Sequence, residues 1–146
     1  MLLFNCIWKA KQLISFDGLN YGGASLSDID FCLEYHDSIW VLGEVKGRDV
    51  ILPKSQRTLM SRFVNMARYS GKRAIAIVVE HNVPDCREMI QLSNCMVREY
   101  YTSESGRWAY PRRPYYVDEM ISQYINIVTG GFNGNGQITN YLQKTG

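Results

Sequence analysis

The chain has 146 residues, 46% hydrophobic and 21% charged, with a formal net charge of +2. That length suits one domain with a full hydrophobic core, and the composition excludes the disordered and fibrous classes. Charge is unevenly spread: two Lys and five acids in residues 1–43 give −3, eight Lys/Arg and two acids in 44–73 give +6, and six and seven in 74–146 give −1.

A block of positive charge beside a few isolated acids points to an anionic partner near the middle of the sequence. The opening "MLLFNCIWKAKQLISF" has no basic region ahead of its apolar residues, and Lys9 and Lys11 interrupt them. No apolar run reaches the ~18 residues a membrane span needs. An intracellular, cytoplasmic protein without a membrane partner is expected. Cys6, Cys32, Cys86 and Cys95 form no C-x-x-C pair, so buried thiols are expected rather than a zinc site.

In chain order, the first sixteen residues predict a short helix or strand packing Leu3, Ile7 and Ile14, and Asp17 to Gly23 a glycine-rich loop. "SDIDFCLEY" (Ser27 to Tyr35) alternates as a strand, with Ile29, Phe31, Leu33 and Tyr35 on one face and Asp28, Asp30, Cys32 and Glu34 on the other. "HDS" is a turn, and "IWVLGEVK" (Ile39 to Lys46) a second strand, which together make a hairpin. Pro53 opens a helix from Lys54 to Ser70 and Gly71 closes it, with Leu59, Met60, Phe63 and Ala67 on one face and Arg57, Ser61, Asn65, Arg68 and Lys72 on another. "AIAIVVE" (Ala74 to Glu80) is a strand covered on both faces, parallel to the second through a right-handed crossover. A helix near Asp85 to Leu92, a Tyr/Arg-rich region from Val97 to Tyr116, a helix from Val117 to about Val128 and a Gly/Asn-rich stretch from about 129 complete the chain.

The chemistry centres on "VLGEVKGRD". Period-two geometry places Glu44 and Lys46 on one strand face with Trp40 and Leu42, where charges lose hydration unless something compensates. With His36, Asp37 and Ser38 as the turn, paired positions sum to 74, so Asp30 lies opposite Glu44 and Asp28 opposite Lys46. Opposed Cβ atoms are roughly 5 Å apart, and two carboxylates that close repel unless a cation or shared proton intervenes. A hard divalent ion such as Mg²⁺ suits such a pair. A surface hairpin with a Lys–carboxylate bridge worth less than about 1 kcal/mol is the alternative.

"SDID" on one strand, fourteen residues before the Glu of "EVK" on the next, followed by a helix with an early Gln, resembles the PD-(D/E)xK nuclease superfamily, and the small size resembles its phage-type members. The resemblance spans about Ser27 to Glu80. It implies an α/β fold with a restriction-endonuclease-like αβββαβ core, a mixed sheet flanked by helices, filling residues 1–146 as a single domain. It also implies Mg²⁺-dependent hydrolysis of DNA phosphodiester bonds by an endonuclease, with Mn²⁺ as a substitute. On that basis Asp30 and Glu44 are metal carboxylates, with Asp28 able to replace Asp30. The Val45 carbonyl is a further ligand, Lys46 positions or polarises the attacking water, and Gln56 matches the glutamine after the motif strand in several branches. The Glu that members often add from the first helix has no counterpart, since no acid precedes Asp17.

Arg48, Lys54, Arg57, Arg68, Lys72 and Arg73 flank the proposed site and suit DNA phosphates. The aromatic and Arg residues of "REYYTSESGRWAYPRRPYY" suit either stacking on unpaired bases or an edge hairpin packed on the core. His81 is expected to be structural. The rival reading is a catalytically inactive nucleic-acid-binding protein on the same fold. A homodimer, or recruitment by other DNA-processing proteins, fits a chain this small.

Overall fold

The computed structural model describes residues 15, 17–20, 22, 27–84 and 88–130. A five-stranded mixed sheet in the order β1-β2-β3-β4-β5 comprises β1 (Phe31–Tyr35), β2 (Ile39–Gly47), β3 (Arg73–His81), β4 (Met96–Thr102) and β5 (Trp108–Ala109). Helix α1 (Lys54–Tyr69) joins β2 to β3, and α2 (Val117–Val128) follows β5. Strand β2 pairs antiparallel with β1 and parallel with β3, as the alternation and the crossover led us to expect. The chain is therefore α/β. Two strands precede α1 among the described residues, and the segment expected to supply an earlier helix or strand lies outside them.

Both faces of the sheet are covered, which is why β2 and β3 are nearly continuous apolar runs. Ile39, Val41, Ile75, Ile77, Val79, Val97 and Tyr100 pack on one face with Met120 and Tyr124 of α2. Leu42, Ala74, Ala76, Val78 and Tyr101 pack on the other with Met60, Val64 and Ala67 of α1. The small Ala74 and Ala76 leave room for that helix. The buried stripe is thus 60, 64 and 67, with Phe63 beside it, while Leu59 is 38% exposed instead of in the core.

Helix α1 starts after Pro53, which has extended backbone angles, and ends in a Schellman turn. Gly71 takes φ +76° and its N–H reaches the Arg68 carbonyl, while the Lys72 N–H reaches that of Ala67. The turn before β2 sets the register. His36 and Asp37 both adopt positive φ, as a type I′ turn requires, and the Ser38 N–H donates to the Tyr35 carbonyl at 3.0 Å. The Glu34 carboxylate accepts the Asp37 N–H, and Lys72 Nζ pairs with the Asp37 carboxylate at 2.6 Å. Pairs such as Phe31–Gly43 and Leu33–Val41 follow, so positions sum to 74.

Two expectations change, and one open alternative is decided. Strand β1 begins only at Phe31, and Ile29 packs with the α1-facing cluster rather than continuing the Phe31–Leu33 face. The chain bends at Asp30, whose side chain takes the Val45 N–H that a longer β1 would have paired. The helix expected at Asp85 to Leu92 is not formed where it can be described: residues 88–91 are irregular and Leu92–Asn94 make one 3₁₀ turn. The Tyr/Arg-rich segment becomes β4 and β5, an edge hairpin, with Tyr100, Tyr101 and Tyr115 buried and so withdrawn from any stacking role. Cys95 is buried as expected, whereas Cys32 is exposed. No described helix is long and apolar enough to cross a membrane.

Candidate active site

Alternation along β2 sends Trp40, Leu42, Glu44 and Lys46 to the α1 face. Glu44 is only 1% exposed, and its Oε2 lies 3.3 Å from Lys46 Nζ. Its Oε1 is buried with no hydrogen-bond partner among the described residues. Burial pushes the Glu44 carboxyl up from its ordinary range, and the negative charge of Asp30 pushes it further. The hydrogen bond and charge of Lys46 pull it down, and Asp28 adds a smaller upward push. Asp30 and Asp28 are both exposed, so Glu44 is the desolvated member of an acidic group open on one side.

Asp30 is held by its Oδ2, which accepts the Val45 N–H at 2.6 Å. Gln56, in the first turn of α1, stands four residues before Met60 and so on the buried stripe of the helix. Its Oε1 is also buried and unpartnered, so the polar company expected for it is not supplied by the described residues. Register adds one acid that sequence reasoning passed over: Glu80 of β3 is the parallel neighbour of Lys46, and alternation from Val78 puts it on the same face.

The donor chemistry fits a hard divalent cation. Two buried orphan oxygens, on Glu44 and Gln56, and the Asp30 carboxylate are oxygen ligands of the kind Mg²⁺ and Mn²⁺ take. Among the described residues no three His, Cys, Asp or Glu side chains converge as a metal-holding group. A cation here would therefore draw on amide and backbone oxygens, such as that of Val45, and on water and substrate.

The basic residues divide. Arg48 and Lys54 are exposed, and among the described residues their side chains have no hydrogen-bond or ion-pair partner. Arg68 is exposed and donates to the Ser103 carbonyl at 3.1 Å. Arg57, expected at a phosphate, is already engaged within the fold. Its guanidinium is bidentate to the buried Glu99 carboxylate at 2.7 and 3.0 Å and lies 4.9 Å from the Trp108 ring centroid. Lys72 is held by Asp37, and Arg73 pairs with Glu104 at 2.7 Å. His81 accepts the Val83 N–H on Nδ1, the structural role expected.

Compared with models of protein families, with curated proteins and with solved structures, the chain matches none.

Proposed function

We propose that the chain is a metal-dependent nuclease that hydrolyses DNA phosphodiester bonds, with a restriction-endonuclease-like core. The observation that carries this reading is Glu44: a carboxylate 1% exposed, with one oxygen on Lys46 and the other without a partner among the described residues. A carboxyl buried in that state either keeps its proton or is completed by a cation, and a cation beside Asp30 and Lys46 is what a nuclease site requires.

Asp30, Glu44 and the Val45 carbonyl would hold the cation, and the buried amide oxygen of Gln56, in the first turn of α1, is a further oxygen donor. The bound ion supplies Lewis acidity to the scissile phosphate. Glu44 fixes Lys46 through the 3.3 Å contact, so its ammonium is held on the same strand face as the carboxylates. There it orients the attacking water by donating a hydrogen bond and steadies the growing negative charge on the phosphoryl oxygens. Arg48 and Lys54, both unpaired, attract the flanking phosphates.

The test has two readouts. Calorimetric titration with Mn²⁺ should give one binding event in the wild-type protein and none in Glu44→Gln. Incubation of circular, linear, nicked and four-way DNA with Mg²⁺ should show cleavage that Asp30→Ala, Glu44→Ala and Lys46→Ala each abolish. Cation and DNA binding with no cleavage of any substrate would favour the inactive nucleic-acid-binding protein.

A further inference from the structure

Two open grooves run along the same end of the sheet as Glu44 and Lys46, and they share two residues, Arg98 and Tyr110. The first, about 210 Å³, is floored by Val50, Ile51 and Leu52 of the segment that follows β2. The second, about 440 Å³, is lined by Pro111, Arg112 and Arg113. Register ties them to the candidate site: Lys46 neighbours Glu80, Glu80 neighbours Met96, and Arg98 follows two residues later.

Arg98 owes its position to a β-bulge. Val78 pairs with Glu99 and Val79 with Val97, which leaves Arg98 as the extra residue of β4. A bulge re-aims a side chain that alternation would have sent into the sheet. Glu99 takes the buried place under α1, neutralised by Arg57, and Arg98 is released to line both grooves. Tyr110 is 74% exposed and Ile51 82% exposed, an aromatic and an aliphatic surface left open by the described residues. The second groove has three arginines and no acid in its lining.

We propose that this continuous track binds an unpaired strand of single-stranded DNA, with a base stacked on Tyr110 against the Val50–Ile51 surface and phosphates on Arg98 and Arg112. The proposal rests on the nuclease reading, whose substrate it narrows to DNA with an unpaired segment. Alternating aromatic and cationic groups along a groove are what single strands require, since every base offers a π-face and every linkage a charge. A duplex would bury its bases and leave the Tyr110 ring without a partner.

The experiment is fluorescence anisotropy with labelled oligothymidylate and with a blunt duplex of equal length, in EDTA so that no strand is cut. Tyr110→Ala should weaken oligothymidylate binding by roughly 5- to 150-fold, the range for one stacked base, and leave duplex binding unchanged. Tyr110→Phe should restore it. Arg98→Ala and Arg112→Ala should each flatten the log–log salt slope by about 0.7. Equal affinity of wild type and Tyr110→Ala for oligothymidylate, or an equal loss on duplex, overturns the proposal. Because nothing is hydrolysed, a Tyr110 effect without any cleavage in Mg²⁺ would leave the track standing and sink only the nuclease reading; cleavage with an inert Tyr110 would do the reverse.

Discussion

Oδ2 of Asp30 accepts the N–H of Val45 at 2.6 Å, which fastens the start of β1 to the residue between Glu44 and Lys46. The bond fixes where the Asp30 charge sits, and that charge is the second cause, after burial, of the raised Glu44 pKa. Position and electrostatics are therefore linked in one contact.

Asp30→Asn separates the two. The amide oxygen can still accept from Val45, so the bend should survive, while the repulsion on Glu44 is removed. The Glu44 titration, followed by ¹³C NMR of its carboxyl carbon, is expected to move down in the variant and to stay above the ordinary glutamate value, because burial remains. An unchanged midpoint would mean that the Asp30 charge is screened from Glu44. Cation binding should weaken in parallel.

Glu44→Gln should change stability in a pH-dependent way. A raised folded pKa means that the native state holds a proton the unfolded state has released. Below the unfolded value, near 4.5, both states are protonated and the variant should match the wild type. As pH rises through the folded midpoint the wild type becomes charged in a buried site and loses stability, so the variant should melt higher at pH 8. Saturating Mg²⁺ should reverse the order by stabilising the wild type alone, by about 2.7 kcal/mol at a hundredfold excess over Kd. Cleavage by the variant should fall by roughly 10²- to 10³-fold, the equivalent of several kcal/mol of Lewis-acid stabilisation. Melting curves at pH 4 and pH 8, with and without metal, check the whole set.

Much of the hairpin was legible because two independent patterns agreed. The alternation of Phe31 to Tyr35 and the three-residue turn His36 to Ser38 give one register, and pairs such as Leu33–Val41 have it. Pro53 and Gly71 marked the ends of α1 for similarly local reasons. What was not legible depends on distant chain. A helical wheel separates the 59/63/67 stripe from 60/64/67 by one position, and the small Ala74 and Ala76 of β3 decide between them. The fate of Arg57 turned on Glu99, 42 residues away, which alternation from Tyr101 places on the α1 face, while the bulge at Arg98 sends Val97 to the other. No local pattern announces that bulge. Glu80 became visible only once the parallel register was known.

Arg57→Ala discriminates between the two roles considered for that residue. As a phosphate contact its loss would flatten the salt dependence of DNA binding. As the partner of buried Glu99 its loss leaves a carboxylate 5% exposed without a counter-charge. Breaking a buried pair costs about 3–5 kcal/mol, and the partial exposure of Arg57 puts the expected loss near the lower end. Chemical denaturation should show that loss, with the salt slope of the folded variant unchanged. Arg48→Ala and Lys54→Ala should show the opposite: stability within about 0.5 kcal/mol of wild type, and a slope on duplex DNA shallower by about one unit per phosphate contact.

The last test concerns Gly43, whose partner across the hairpin is Phe31. The outer edge of the Phe31 ring sits against Gly43, and a Cβ built there would overlap Cζ, Cε1 and Cε2. Gly43 has an ordinary strand conformation, so space and not φ is the reason for glycine. Gly43→Ala must push the ring away, and overpacking of this kind costs about 1–3 kcal/mol. Phe31 is the first residue of β1 and follows Asp30 directly, so the displacement should also loosen the Asp30–Val45 bond. Two measurements are expected to move together: the melting temperature and the affinity for Mn²⁺ should both fall. Adding Phe31→Ala should recover stability relative to the sum of the single changes, because the clash disappears with the ring. Strict additivity in that cycle would show that the two residues do not meet, and that the hairpin reaches Asp30 by some other contact.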